Sequence, residues 1–334
     1  MTIGRGAVKG LSSATMVFAL LTWNLLAQAQ TQPFSDWLDE LRAEALAAGI
    51  SAETLEAALT GVEPVERVVE RDRNQAESRL DFWTYIDRVV TDARIEEGQR
   101  RLLEERELLD DVARRYGIPA RVLVATWGIE SSFGSYQGND PVISSLVTLA
   151  YDPRRATFFR RELLHALRII DEGHISAVDM KGSWAGAMGQ LQFMPSTFID
   201  YAVDGDGDGR KDIWGSAADA IESAANYMAA SWRPGYIWGR QVTLPSDFDA
   251  SIAGLDAEKT LAEWSNLGVT RIDGSALPSV DLTGAIILPN EANDPAFLVY
   301  QNYRAILRWN RSHLFAVALG HLADRIGGQP ILRR

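Results

Sequence analysis

The chain has 334 residues, 46% of them hydrophobic, with 33 Lys+Arg against 45 Asp+Glu and a formal charge of −12. This gives enough apolar material for a full core, and the acidic balance argues against nucleic acid as a partner, which needs a basic face. Cysteine is absent, which excludes disulfides, a thiol nucleophile and a lipid-modified cysteine.

Met1 to Ala29 reads as a secretory signal. Arg5 and Lys9 form a basic front, Leu11–Leu26 is largely apolar, and Ala27-Gln28-Ala29 is an A-x-A cleavage site. Cleavage would start the mature chain at Gln30 and, by removing Arg5 and Lys9, take the charge from −12 to −14. The apolar run is short for a membrane anchor, so the expected product is soluble, exported and without a transmembrane segment. From Pro33 to about Glu107 the pattern is helical with a charged surface. Phe34, Trp37, Leu38 and Leu41 share one helical face, Ser51 is placed as an N-cap, and Phe82, Trp83, Tyr85 and Ile86 lie in a second helical region, Asp72 to Glu107. The charge runs here read as solvated faces.

Pro119 suits the first position of a helix, where its missing N–H costs nothing. Val122, Leu123, Thr126, Trp127 and Ile129-Glu130 follow at helical spacing, and Gly134 is placed to end the helix in a left-handed turn. Glu130 thus falls in the last turn, where the helix dipole disfavours a carboxylate, among apolar Trp127, Ile129 and Phe133. Both effects raise its pKa. A carboxyl kept protonated near neutral pH is what a general acid needs. The bland alternative is a surface glutamate beside core aromatics.

Next come a loop at Tyr136–Pro141, a helix at Val142–Ala150 and an amphipathic helix from Thr157 to Asp171. His165 lies in the latter with no second histidine at a metal-binding spacing, and reads as a structural residue. Gly182 to Ser196 is rich in small residues that let backbone approach a ligand. Trp184 and Phe193 offer flat faces, and Gln190 and Gln192 can bond hydroxyls and amides, which suits a sugar groove. It lacks the Gly-Lys-Ser/Thr of a phosphate loop. Asp204, Asp206 and Asp208 then occupy the first, third and fifth places of an EF-hand loop, Gly209 the sixth, and Arg210 the seventh, where only its backbone carbonyl would serve. The twelfth place is Gly215 and not glutamate, so Asp219 would have to close a longer loop. Three carboxylates this close repel unless a cation sits among them, and hard oxygens favour Ca²⁺ in a structural role. No catalytic cofactor is expected. Ala217–Ser231 is helical. Short strands are placed at Gln241–Leu244 and Gly284–Leu288, a helix at Ala257–Leu267, and a terminal helix running to about Ile326.

Glu130-Ser131-Ser132-Phe133-Gly134, Ser183–Gln190, Gln192–Ser196, the Asp-Gly repeat, Ala225-Asn226-Tyr227 and Trp309-Asn310-Arg311-Ser312 occur in that order. This set resembles the B-type lytic murein transglycosylases, glycoside hydrolase family 103, over roughly Phe34 to Ile326. The resemblance implies a mainly α (α+β) protein with a goose-lysozyme-like helical catalytic core, an added helical domain and a small mixed α/β subdomain. The parts would be a helical stretch at 33–115, the core with its calcium loop at 116–235, the mixed subdomain at 236–295 and C-terminal helices at 296–334. It implies a periplasmic enzyme that cleaves the MurNAc-β-1,4-GlcNAc bond of peptidoglycan and leaves 1,6-anhydromuramoyl ends. Glu130 would be its single acid/base. Ser183, Gln190, Gln192, Phe193, Tyr227, Trp309 and Phe315 would line the cleft, and Asp204, Asp206, Asp208, Arg210 and Asp219 would form the calcium loop. From sequence, a hydrolytic muramidase on the same scaffold, with Asp140 or Asp152 as the missing base, and a silent wall-binding protein remain open.

Overall fold

A computed structural model describes residues 32–74, 80–289 and 295–334, and the predicted signal Met1–Ala29 lies outside them. The chain divides into two units, residues 1–48 and 49–334. In the first, the described part is one helix, α1 (Phe34–Ala47), which buries Trp37, Leu41 and Ala45, four residues apart on one stripe.

The second unit begins with short helices α2 (Ala52–Leu59), α3 (Glu66–Arg73), α4 (Phe82–Val89), α5 (Asp92–Glu104) and α6 (Arg106–Tyr116). Their starts follow from local chemistry. Ser51, Asp81 and Thr91 each accept a backbone N–H from the first turn of α2, α4 and α5. The expected helical region through Asp72–Glu107 is thus divided, with Thr91 starting a new helix after Val90. Gly117, at φ 70°, ends α6 in the left-handed turn that glycine tolerates best.

At the centre is α7 (Ala120–Ser131). It buries residues all round, from Val122 through Gly128, because other helices cover every side. These are α5, α6, α11 (Ala217–Ala229) and α14 (His313–Ile326). A partly buried contact fixes α6 against α11: the Arg115 guanidinium grips both oxygens of Glu222 at 2.5 and 2.6 Å, and Tyr116 Oη adds a third bond at 3.0 Å. Between α7 and α11 come α8 (Val142–Tyr151), α9 (Ala156–Asp171) and α10 (Pro195–Tyr201), with a two-stranded antiparallel ribbon of β1 (Asp140–Pro141) and β2 (Lys181–Gly182). Glu162, fully buried on α9, accepts from the backbone N and hydroxyl of Ser196, both at 2.9 Å, and so caps α10.

The mixed region is a five-stranded antiparallel sheet in the order β4-β6-β7-β3-β5. Its strands are β3 (Gly239–Thr243), β4 (Lys259–Thr260), β5 (Thr270–Arg271), β6 (Thr283–Ile287) and β7 (Ala296–Val299). The middle strand, β7, is buried along its whole length, which explains its continuous apolar run. It lies beyond residue 295, in a stretch expected to be helical. The helix expected at Ala257–Leu267 is shorter. Residues Lys259–Thr260 pair with β6, and Thr260 and Glu263 form a capping box that starts α12 (Leu261–Asn266). Trp264 on α12 is fully buried and donates to the Gly284 carbonyl at 2.8 Å. After β7 the chain returns as α13 (Gln301–Trp309) and α14.

Candidate active site

Glu130 sits in the last turn of α7, and the backbone just beyond it is strained. Ser132 and Phe133 take positive φ, 49° and 59°, before Gly134 at 83°. The left-handed turn therefore begins two residues before the glycine that was expected to make it. Such a conformation is costly for a non-glycine residue, so surrounding contacts must impose it. Here the Phe133 ring is driven under the helix. A Cβ on Gly128 would lie 2.6 Å from that ring, and one on Gly98 3.6 Å from it. Trp127 meets it edge-on with centroids 5.8 Å apart. Ser131 Oγ accepts from Gly134 N at 2.9 Å and Phe133 N donates to the Trp127 carbonyl at 3.2 Å, which closes the turn.

The Glu130 carboxyl is enclosed, with only partial exposure. Burial raises its pKa to about 7, against the opposing effect of Trp309, whose Nε1 donates to Oε1 at 2.7 Å. Trp309, at the end of α13, is one of three rings around the acid. Its centroid is 5.0 Å from Tyr227 on α11 and 5.4 Å from Phe193. Tyr227 Oη donates to the Arg308 carbonyl at 2.7 Å, and the Arg308 guanidinium lies 5.2 Å from the Tyr227 ring centroid. Tyr85 on α4 reads from the sequence only as a helical aromatic. Its phenol pKa is raised by burial and then by the charge of Glu130, so the two groups feel each other in the folded chain. Nothing in its local pattern marks it, since the two lie 45 residues apart in sequence.

The other predicted cleft residues divide. Ser183 and Gln192 are partly exposed. Ser183 Oγ accepts from Ala185 N and Ala187 N at 3.3 and 3.0 Å, which leaves its hydrogen for donation. Gln192 has φ 51°, and its amide donates to Gln137 O and Gly189 O at 2.9 and 3.0 Å. Gln190, Phe193 and Phe315 are buried, at 5%, 3% and 5% exposure. Gln190 is committed inside the wall. Its Oε1 accepts from Trp127 Nε1 at 2.8 Å and its amide donates to Trp214 O at 3.2 Å, so its polar groups are engaged by protein. Phe315 packs into the first turn of α14, behind the surface it was expected to form. Phe193 shows the cleft little more than an edge and backs Trp309 and Tyr227.

Asp140 and Asp152, the reserve candidates for a second catalytic carboxylate, are both held elsewhere. Asp140 is bound by Arg67 and by Arg71 at 3.0 Å, and Asp152 by Arg73 at 3.1 Å. Among the described residues, burial and Trp309 are what shift Glu130, with no acidic neighbour contributing.

The acidic loop folds back on α11. Carboxylate oxygens of Asp204, Asp206 and Asp219 converge within 4.8 Å of one another. Asp219 is 1% exposed, and its pKa is raised, first by burial. Asp219 thus stands next to Asp204 and Asp206, where a longer loop would need it. Asp208 is not in that group of three, and its Oδ1 accepts from Arg210 N at 2.8 Å. The Arg210 guanidinium points away, to His174 O at 3.0 Å. The three converging groups are hard oxygen donors, which fit Ca²⁺.

Residues 33–324 match the model of the transglycosylase SLT domain. The chain is 32% identical to membrane-bound lytic murein transglycosylase B of Escherichia coli K12 over 245 residues, 72% of this chain and 66% of that protein, just under two thirds of its length. Among solved structures it resembles SltB3 of Pseudomonas aeruginosa in complex with NAG-anhNAM-pentapeptide, at 47% identity and TM-score 0.86, covering 89% of this chain and 80% of that one. It has the fold of the Escherichia coli transglycosylase Slt35 in complex with calcium, at 24% identity and TM-score 0.75, over 90% and 94% of the two chains.

Proposed function

The chain belongs to the transglycosylase SLT domain family, and from that membership and the surroundings of Glu130 we propose that it cleaves the MurNAc-β-1,4-GlcNAc bond of peptidoglycan and leaves 1,6-anhydromuramoyl ends. The observation that carries this reading is a single carboxyl, poised near pH 7 by burial, with no other acid among the described residues contributing to its shift. Glycosidases of the ordinary kind use two carboxylates, one of them as nucleophile or to activate water. With one, the shortest route has two steps. Glu130, protonated, gives its proton to the leaving glycosidic oxygen as the C1–O bond breaks. The acetamido oxygen of the muramic acid stabilises the cationic centre, as in substrate-assisted glycosidases. Glu130, now a carboxylate, takes the proton from the C6 hydroxyl of that sugar as its oxygen bonds to C1. The attacker is tethered to the sugar, and effective molarities for well-oriented internal attack reach about 10⁵ M or more.

Trp309 has two parts in this cycle. Its indole N–H stabilises Glu130 as a carboxylate between the two steps, and its ring walls the site with Tyr227. Ser183, with its free donor, and partly exposed Gln192 would bond the sugar, and Tyr85 would stand on the α4 side of the acid. Asp204, Asp206 and Asp219 would hold a structural Ca²⁺, which neutralises their charge and ties the loop to α11. The predicted signal supports a periplasmic location. Among the described residues no helix is long and apolar enough to cross a membrane.

Mass analysis of the muropeptides released from purified sacculi tests the reaction. The disaccharide peptide should lie one water, about 18 Da, below the hydrolytic product, as internal attack requires. Predominantly hydrated ends would make the protein a muramidase.

A further inference from the structure

At the other end of α7 lies a cavity of about 460 Å³ that neither Glu130 nor the acidic loop uses. Arg121 from the start of α7, Arg240 from β3 and Arg271 from β5 line it, together with His321 and Asp324 from α14. Arg121 stands nine residues before Glu130, about 13 Å along the helix axis, so a molecule in this cavity would not touch the reacting atoms.

Its wall carries three guanidinium groups and two carboxyl groups. Of the two acids, Asp273 bonds Ser275 N at 3.0 Å and Oγ at 2.6 Å, and its pKa is lowered by those bonds and more weakly by the charge of Arg271. Asp324 accepts from Trp238 Nε1 at 2.9 Å, and burial holds its pKa above the usual range despite Arg121 and Arg240. His321 is buried, and its pKa is pushed down to about 4, so it is neutral at pH 7 and adds no further positive charge. Both side chains are partly exposed and Arg240 bonds Tyr300, but the Nε atoms of Arg240 and Arg271 are buried with no hydrogen-bond partner. A buried charged donor left without an acceptor costs on the order of 1–3 kcal/mol or more. Two such donors on facing strands, in one cavity, ask for an acceptor there. Two wall residues pack closely on glycines: Trp238 on Gly320, where a Cβ would lie 2.4 Å from its ring, and Arg121 on Gly327, where a Cβ would lie 2.8 Å from its Cδ. The C-terminal tail closes over it, held to β3 by reciprocal bonds between Gln241 and the backbone of Arg333 at 2.6 and 2.8 Å.

We propose that this cavity is a second ligand site, which takes a small molecule bearing a carboxylate or phosphate group. Both present two oxygens to a guanidinium fork, and Arg is suited to that planar recognition. The apolar part of the wall, Trp238, Ile237 and Ile331, would cover the ligand's body.

The test is thermal denaturation of the full chain titrated with inorganic phosphate and, separately, with succinate, at ionic strength held constant with NaCl. At least one anion should give a saturable rise of about 2 °C or more. A response to phosphate alone assigns phosphate as the group, and a response to succinate assigns carboxylate. Arg240→Gln/Arg271→Gln should abolish the rise, while Arg106→Gln, at an exposed position on α6, should keep it. If the double variant does not fold, Arg271→Gln alone should weaken apparent affinity about tenfold, the equivalent of one lost charged hydrogen bond. No saturable response to either anion, or a response unchanged by Arg271→Gln, would overturn the proposal.

Discussion

Replacing Glu130 with glutamine should abolish cleavage and, above neutral pH, make the protein more stable. The ordinary glutamate value of 4.5 is raised to about 7 in the folded chain. A carboxyl with a raised folded pKa contributes stability that is complete below pH 4.5 and is lost as pH rises through about 7. Above that the folded protein carries a buried charge at a cost of about 3 kcal/mol, since a tenfold change in proton affinity is worth about 1.4 kcal/mol. Glutamine removes that cost and keeps an oxygen for the Trp309 indole. The Trp309 bond already enters the folded value of about 7, so the net gain at pH 8.5 is the full cost of about 3 kcal/mol, a rise in Tm on the order of 5 °C. At pH 4.5, where wild-type Glu130 is half protonated even when unfolded, the two proteins should melt together. Differential scanning calorimetry at the two pH values, with sacculus turbidity as the activity assay, measures both effects. Equal melting at pH 8.5 would show that the charge on Glu130 is well solvated, and the argument for a poised acid would fail. Near-normal turnover by the variant would remove Glu130 from the reaction altogether.

Trp309→Phe should move the alkaline limb of the kcat/KM profile up by about one pH unit, because the lost indole bond favours the carboxylate form; an unmoved limb would mean that the 2.7 Å bond does not act on the acid. Chelation at pH 7.5 should lower Tm, and Asp206→Asn/Asp219→Asn should abolish both bound Ca²⁺ by atomic spectroscopy and the effect of chelator; unchanged metal content would reduce the loop to an acidic turn. Gln190→Leu should destabilise the fold by about 1–3 kcal/mol, since it orphans the buried Trp127 indole N–H, yet leave KM for soluble glycan fragments nearly unchanged. A large rise in KM with normal melting would return Gln190 to the cleft surface.

The features legible in the sequence are those that short-range physics decides. The helix ending at Glu130, the Asp-Gly loop, the Ser51 cap and the terminal helix to Ile326 all follow from patterns within a few residues. Even the raised pKa of Glu130 is legible, because its apolar neighbours Trp127, Ile129 and Phe133 are adjacent in the chain. The misreadings concern which side of the wall a residue occupies. Gln190 and Phe315 stand in stretches that do reach the site, but one side chain bonds a tryptophan 63 residues earlier and the other turns into the core. Strand β7 escapes detection for a related reason: a four-residue apolar run has no period that separates a buried strand from the start of a helix.

The deeper gap is in how the acid is held, and it decides the chemistry. Trp309 reaches Glu130 from 179 residues away, and Tyr85 on α4 feels its charge. Neither has a local signature. Ser132, Phe133 and Gln192 are the described non-glycine residues with positive φ, and all three lie in the segments that frame the site. Strain of this kind costs on the order of 1–3 kcal/mol per residue and persists only where packing imposes it. The turn at Ser132 and Phe133 closes the end of α7, next to the carboxyl that Trp309 bonds. Gly128→Ala would therefore do more than crowd a core, because a methyl 2.6 Å from the Phe133 ring would press on the turn that keeps the carboxyl enclosed. Its damage should register in the pH profile as well as in melting, whereas an ordinary overpacked core would lower stability and leave the alkaline limb in place.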